Sequence, residues 1–386
     1  MTAPKSIGFA RMEQEAGEKR VFLPNFIQRM AALEVQVMIE EGYGSRSGFD
    51  EADYRQGAIN VDFGTRQEAF DQDVVLILRS PDDDFRLMKP GTILMSMLHY
   101  PTHPTRVPLF KELGLKTISL DSIVNDNDVR LVENMKAVAW NGLEVAFGLL
   151  EDRWPGLVRP DGEPIQTLLL GTGMVGKHAV DAAVHLGNIE RNNKHIEQGG
   201  PGAVCQAVGR NLTGHEDEML GLLRNTDILI DATQRRNPSR PVIPNEWIQV
   251  MPEHAVLVDL SVDPYIPQAE PPVVRGIEGI PKGNLDKYIF RPEDPDWEET
   301  VAPGVPTDHR RIAVTCYSWP GFHPEACMMH YGKQLNPMMP VLFVKGYDGL
   351  SVEGGYFDRA LYRATLKAWE DQVARKMLWN GDKSYD

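Results

Sequence analysis

Cysteine is scarce in this chain. Cys205, Cys316 and Cys327 are its three, and they form neither a CxxC pair nor a ligand-spaced cluster with histidine. A disulfide framework and a structural zinc site are thereby disfavoured, and reduced, buried structural thiols with no bound metal are expected. Long apolar runs are lacking too. No stretch reaches the roughly 18 residues that a bilayer-spanning helix needs, and residues 1–10 lack the apolar core of a signal peptide. The expectation is a cytoplasmic protein with no membrane partner. Positive charge is in deficit: 40 Lys and Arg face 55 Asp and Glu, a formal net charge of −15. Such a surface repels phosphate backbones and argues against a nucleic-acid partner. Any anionic substrate must be gripped by local arginines against that field. Low-complexity tracts are absent, and 386 residues suffice for two or three packed domains.

What is present alternates with a βαβ rhythm. Residues 35–39, 74–78, 92–98 and 117–120 are apolar runs of strand length, with helix-like stretches such as 108–113 between them. Residues 131–151 form one long helical pattern, with Leu131, Met135, Val138, Leu143 and Phe147 at helical spacing. It reads as a helix linking two domains, closed by Pro155 and Pro160. A second series follows: strands over 165–170, 203–208, 227–230 and 255–260, with a helix from the first glycine turn to about 186. Residues 188–202 look like a polar insertion and 266–314 like extended loop. Helix returns over 321–331 and 359–378. Strands alternating with helices predict α/β architecture, here two Rossmann-like, doubly wound parallel sheets.

Gly171-Thr172-Gly173-Met174-Val175-Gly176 is a G-x-G-x-x-G between an apolar strand and a helix, the context in which that spacing carries weight. The first glycine permits the tight turn, the second lets backbone approach a pyrophosphate, and the third lets helix and strand pack closely. The helix N-terminus then offers unpaired N–H groups to phosphate. An acidic residue at the end of the second strand, the usual partner of an NAD ribose, is lacking: Gly209-Arg210-Asn211 stand there. Glycine and arginine would tolerate a 2′-phosphate, so the cofactor is NADP or NAD, with a lean to NADP; Arg210 as a solvated surface charge is the equal alternative.

Several segments resemble the superfamily of alanine dehydrogenase, saccharopine dehydrogenase and the transhydrogenase α-subunit. Glu18-Lys19-Arg20-Val21 is similar to its N-terminal motif, Gly42-Tyr43-Gly44 to its glycine-rich segment, and Ser96-Met97-Leu98-His99 to its histidine-ended strand. Val258-Asp259-Leu260-Ser261-Val262-Asp263 is similar to its aspartate motif, and Trp319-Pro320-Gly321 to its proline–glycine turn. The matches run in family order over nearly the whole chain. The resemblance implies a discontinuous substrate domain, 1–130 plus 325–386, a dinucleotide domain, 131–324, and an active site in the cleft between them. It implies His99 and Asp263 as catalytic residues, and Arg20 and Arg79 as substrate carboxylate clamps. Lys136, Arg210, Ala232, Thr233 and Trp319 join the six residues of the glycine turn as cofactor contacts. Arg79 stands where the family carries a lysine, and a guanidinium cannot shuttle protons, so His99 must carry more of the acid–base work.

Each of these residues has a plainer reading. His99 could fill a core, Asp263 could shape a turn beside Pro264, and the two arginines could form surface ion pairs. Three functions compete: an amino-acid dehydrogenase releasing ammonia, a saccharopine-type enzyme joining an amino acid to an oxo acid, and a transhydrogenase-like nucleotide-binding module without such chemistry. The first two make an amino acid or oxo acid the small-molecule partner; self-association into a homo-oligomer is left open.

Overall fold

The computed structural model describes residues 3–101, 103, 105–235, 237–261 and 263–381. The chain divides into two compact units, Met1–Asn134 with Pro324–Asp386, and Met135–His323.

The first unit opens with β1 (Ser6–Phe9), α1 (Pro24–Ala31), β2 (Gln36–Glu40), α2 (Glu51–Arg55), β3 (Val61–Gly64), α3 (Arg66–Phe70), β4 (Val74–Leu76), β5 (Ile93–Ser96), α4 (Arg106–Glu112) and β6 (Lys116–Ser119). The strands are parallel, in the order β3-β2-β1-β4-β5-β6. β4 and β5 are buried along their full length, as strands covered on both faces must be. Pro24 opens α1 with its φ already set for helix, and Phe26, Ile27 and Met30 then point inward. Two strands escape the apolar-run reading. β1 alternates small and large residues, since a side chain on Gly8 would fall 1.7 Å from Ala69 O. Edge strand β3 exposes Asp62.

The second unit starts with α5 (Met135–Arg153), four residues later than the apolar periodicity suggests. Then come β7 (Ile165–Leu170), α6 (Met174–Val184), α7 (Ile189–Glu197), β8 (Ala203–Val208), α8 (Arg210–Thr213), α9 (Glu216–Leu223), β9 (Ile228–Asp231), β10 (Val256–Asp259), β11 (Ile289–Phe290) and β12 (Ile312–Thr315). Their order is β8-β7-β9-β10-β12-β11, parallel except for the β11–β12 pair. Ala139, Phe147, Ala179 and Trp319 cover one face; Met219, Leu223, Ile248 and Trp297 cover the other. The polar stretch after residue 188 is largely helical: the Asn188 side chain accepts from the N–H groups of Glu190 and Arg191 and caps the helix. The region over 266–314 is not all loop, since it contributes β11 and the start of β12. Cys316 and Cys327 are buried, but Cys205 is half-buried because β8 lies at the sheet edge.

α10 (Pro324–Leu335), α11 (Met339–Lys345), α12 (Tyr356–Arg363) and α13 (Leu366–Gly381) complete the first unit. Met328, Leu335, Leu342 and Leu361 enter the core that holds Ile7, Phe9 and Val74. Ser119 N–H donates to Ala364 O at 2.9 Å, stitching this segment to β6. Among the described residues no helix is long and apolar enough to cross a membrane.

Candidate active site

In open α/β sheets, ligands bind beyond the carboxyl ends of the strands, where the strand order reverses. In the first unit that reversal falls between β1 and β4. The loop after β1 carries Glu15, Glu18 and Arg20; the loop after β4 carries Arg79. His99 follows β5, and Asp121 follows β6. Four neighbouring strands thus deliver the candidate substrate residues to one end of one sheet.

His99 adopts a left-handed backbone, φ 49°. Its N–H donates to Asp121 Oδ1 at 3.1 Å, and its Nδ1 lies 3.3 Å from Asp121 Oδ2. Ser119 Oγ donates to Asp121 Oδ1 at 2.6 Å. Burial opposes the charge on Asp121, but the bonds from His99 and Ser119 outweigh it and hold the carboxyl at about 2. An ionised carboxylate only accepts, so it selects the tautomer with the proton on Nδ1. Asp121 carries no signal in the sequence. Nor does His103, whose ring centroid lies 6.0 Å from that of His99; burial, then the charges of Arg106 and His99, push its pKa down.

Arg20 is 4% exposed and forks onto Glu18, with Nε 2.9 Å from Oε1 and Nη2 against Oε2. Burial opposes the guanidinium charge, yet Glu18 outweighs it and raises the pKa. Glu15 Oε1 lies 3.3 Å from Arg20 Nη2 and 3.4 Å from Arg79 Nη1, so one carboxylate joins the two candidate clamps.

The second unit holds the glycine turn. Gly171 has φ 91°, and a side chain there would meet Ala232 O at 2.8 Å. A Cβ on Gly176 would lie 2.2 Å from Gly171 O, whereas one on Gly173 would meet nothing within 4 Å. Gly171 and Gly176 are therefore demanded by packing, and Gly173 faces open space. Thr172, Gly173 and Met174 are exposed, Val175 is half-buried, and no side chain caps the N-terminus of α6. Such a turn fits a pyrophosphate, with backbone N–H groups as its donors.

The remaining candidates lie in the same unit, and of these Ala232 and Thr233 abut the turn. Ala232 and Thr233 follow β9, and Thr233 donates to Asp231 through both N–H and hydroxyl. Arg210 begins α8 after β8, exposed, with Nη2 bonded to Gln234 O at 2.9 Å. Asp263 Oδ2 is held by Arg235 at 3.1 and 2.7 Å, so its charge is already countered. Lys136 rests its ammonium 5.3 Å from the centre of the Trp140 ring. Trp319 is 1% exposed, with its indole N–H on Asp259 O at 2.9 Å, and its side chain fills core. Among the described residues no group of three or more His, Cys, Asp or Glu could hold a metal.

Fold and loops together define a protein of two Rossmann-like α/β units. Residues 9–139 match the family model described as alanine dehydrogenase/PNT, N-terminal domain. Alanine dehydrogenase 1 of Staphylococcus aureus strain NCTC 8325 is 22% identical over 271 residues, covering 65% of this chain and 71% of that protein. A solved L-alanine dehydrogenase superposes with TM-score 0.68 at 20% identity over 93% of this chain and 94% of its own. The transhydrogenase from Sinorhizobium meliloti gives 0.61 at 16% identity, over 94% and 98%. The sequence likeness thus lies in the N-terminal domain model and in the 271 residues shared with an alanine dehydrogenase, while the solved structures show a common fold.

Proposed function

We propose that this protein is an NAD(P)-dependent oxidoreductase acting on the CH–NH bond of an amino acid or secondary amine, of the alanine or saccharopine dehydrogenase type. The observation that carries this reading is the glycine turn after β7, where Gly173 opens on space while Gly171 and Gly176 are packed shut. When bound there, a nicotinamide nucleotide would supply the hydride. His99, held by Asp121, gives or takes the proton at nitrogen through Nε2. Arg79 holds a substrate carboxylate, and Arg20, whose Nε–Nη2 edge is already taken by Glu18, is tied to it through Glu15 and supports it by charge.

A second reading, a nucleotide-binding module without amino-acid chemistry, draws support from Asp263. Its carboxylate is countered by Arg235 and is poorly placed to stabilise an iminium cation. Purified protein incubated with NADH or NADPH and a panel of oxo acids, with and without ammonia or amino acids, separates the two. Oxidation of the nucleotide that depends on both oxo acid and amine, and is lost in His99→Ala, supports the enzyme. Tight nucleotide binding with no turnover on any pair supports the module.

A further inference from the structure

The second unit gathers three carboxyls around the ends of β9 and β10: Asp231, Asp259 and Asp263. Among the described residues, two arginines reach them. Arg275 Nη1 lies 2.7 Å from Asp259 Oδ2, and Arg235 forks onto Asp263. The carboxyl left over is Asp231. It is 0% exposed, and the groups that contact it are neutral: Thr233 N–H at 2.9 Å, the Thr233 hydroxyl at 2.7 Å and the Ser261 hydroxyl at 3.2 Å. Ser261 Oγ also lies 2.9 Å from Asp259 Oδ1, so one hydroxyl bridges two carboxyls that stand opposite each other in parallel register. The backbone of Gly276 closes the far side, where a Cβ would fall 2.0 Å from Asp231 Oδ2.

A buried carboxylate with neutral contacts and an anionic neighbour is costly, and such a site favours the neutral acid. Burial first, and the Asp259 charge second, push its pKa up to about 7. Among the described residues, the charged groups facing this pocket are Asp259 at the end of β10, Asp263 and Arg235 from the loops after β10 and β9, and Arg275 from the loop closing the pocket. Tyr265 lies under the Arg275 guanidinium at 5.4 Å.

We propose that Asp231 is a proton-holding positioning residue of the nucleotide site, and that nucleotide phosphate binds best when it is the neutral acid. The residue that follows it, Ala232, abuts the glycine turn: its carbonyl oxygen stands 2.8 Å from where a Gly171 Cβ would be. The neutral acid anchors Thr233 without placing charge behind that turn. The ionised form adds an anion behind the segment that must receive the pyrophosphate. Phosphate and ionised Asp231 therefore disfavour each other, and binding draws a proton into the protein. This inference rests on the nucleotide-binding part of the proposed function.

The test is calorimetric titration of the full chain with ADP-ribose and with NADH between about pH 5.5 and 8.5, in buffers of differing ionisation enthalpy. Affinity should fall as pH rises, by up to about tenfold per unit where Asp231 titrates, with net proton uptake on binding. Asp231→Asn keeps the shape, still accepts from Thr233 and donates to Ser261. It should retain the low-pH affinity and lose both the pH dependence and the uptake. A second measurement needs neither ligand nor variant: the wild type near pH 6 should show the infrared band of a protonated carboxylic acid, vanishing at alkaline pH. A pH-independent wild-type affinity, an unchanged profile in Asp231→Asn, or no such band would each overturn the proposal. Failure to bind either probe at any pH would overturn the nucleotide reading beneath it as well.

Discussion

His99 occupies a backbone region that costs a residue with a Cβ about 1–2 kcal/mol, and Asp121 offsets that strain by accepting from its main chain while holding its ring. If the ring is the acid–base group, His99→Ala should lower kcat by roughly 10²–10⁴-fold and leave nucleotide affinity unchanged. Asp121→Asn preserves size but presents an N–H to Nδ1, favouring the wrong tautomer; kcat should fall on the order of 10²-fold with KM nearly constant. Steady-state kinetics on both variants decide this, and wild-type turnover in Asp121→Asn would reduce the pair to a loop tie. Asp121 also bears on acid stability. Its folded pKa lies below the ordinary value of about 3.9, so its contribution is present above that pH and lost as pH falls through about 2. His99 stands out in the sequence through the resemblance; its place at the end of an apolar run would by itself fit a core histidine equally well. Asp121 does not stand out, because nothing in the spacing of two residues 22 apart announces contact. The β5–β6 register, with Ser96 opposite Ser119, brings both to the same end of the sheet.

The glycine turn separates two kinds of glycine that the motif alone treats alike. Gly176→Ala drives a methyl into the Gly171 carbonyl and should cost about 1–3 kcal/mol, seen as a lowered melting temperature for the unit. Gly173→Val meets open space, so the melting temperature should hold while calorimetric titration shows nucleotide binding abolished. Unchanged affinity in Gly173→Val would make the turn purely structural. At the next strand, the β8–α8 junction from Val208 to Gly214 has no acidic residue to hold a ribose diol. If Arg210 reads a 2′-phosphate, Arg210→Ala should weaken NADPH by roughly tenfold or more and NADH little; equal losses would exclude that role. Elements with continuous apolar runs, such as β4, β7 and β10, were legible. α7 was not, because its polar composition hides a helix whose start is signalled by Asn188 alone. β11 was hidden by its two-residue length, and β1 by a glycine that packs against α3.

At the scale of the whole molecule, the resemblance in the sequence points the same way as the family model matched over residues 9–139, and Arg79 and the β8–α8 junction differ from the pattern which that resemblance implies. The discontinuity of the first unit also has a consequence in time. A ribosome delivers the N-terminus first, but residues 3–134 cannot close their core until Met328, Leu335, Leu342 and Leu361 have been made. The second unit, whose two core clusters draw only on residues 139–319, is complete before then. A chain ending at residue 323 and released from the ribosome should show a protease-resistant 135–323 fragment attached to a protease-sensitive N-terminal arm. Equal resistance of both parts at that length would contradict this order. The N-terminal segment therefore spends the synthesis of some two hundred further residues exposed, with β5 and β6 awaiting their cover, and is the part of the nascent chain most in need of a chaperone.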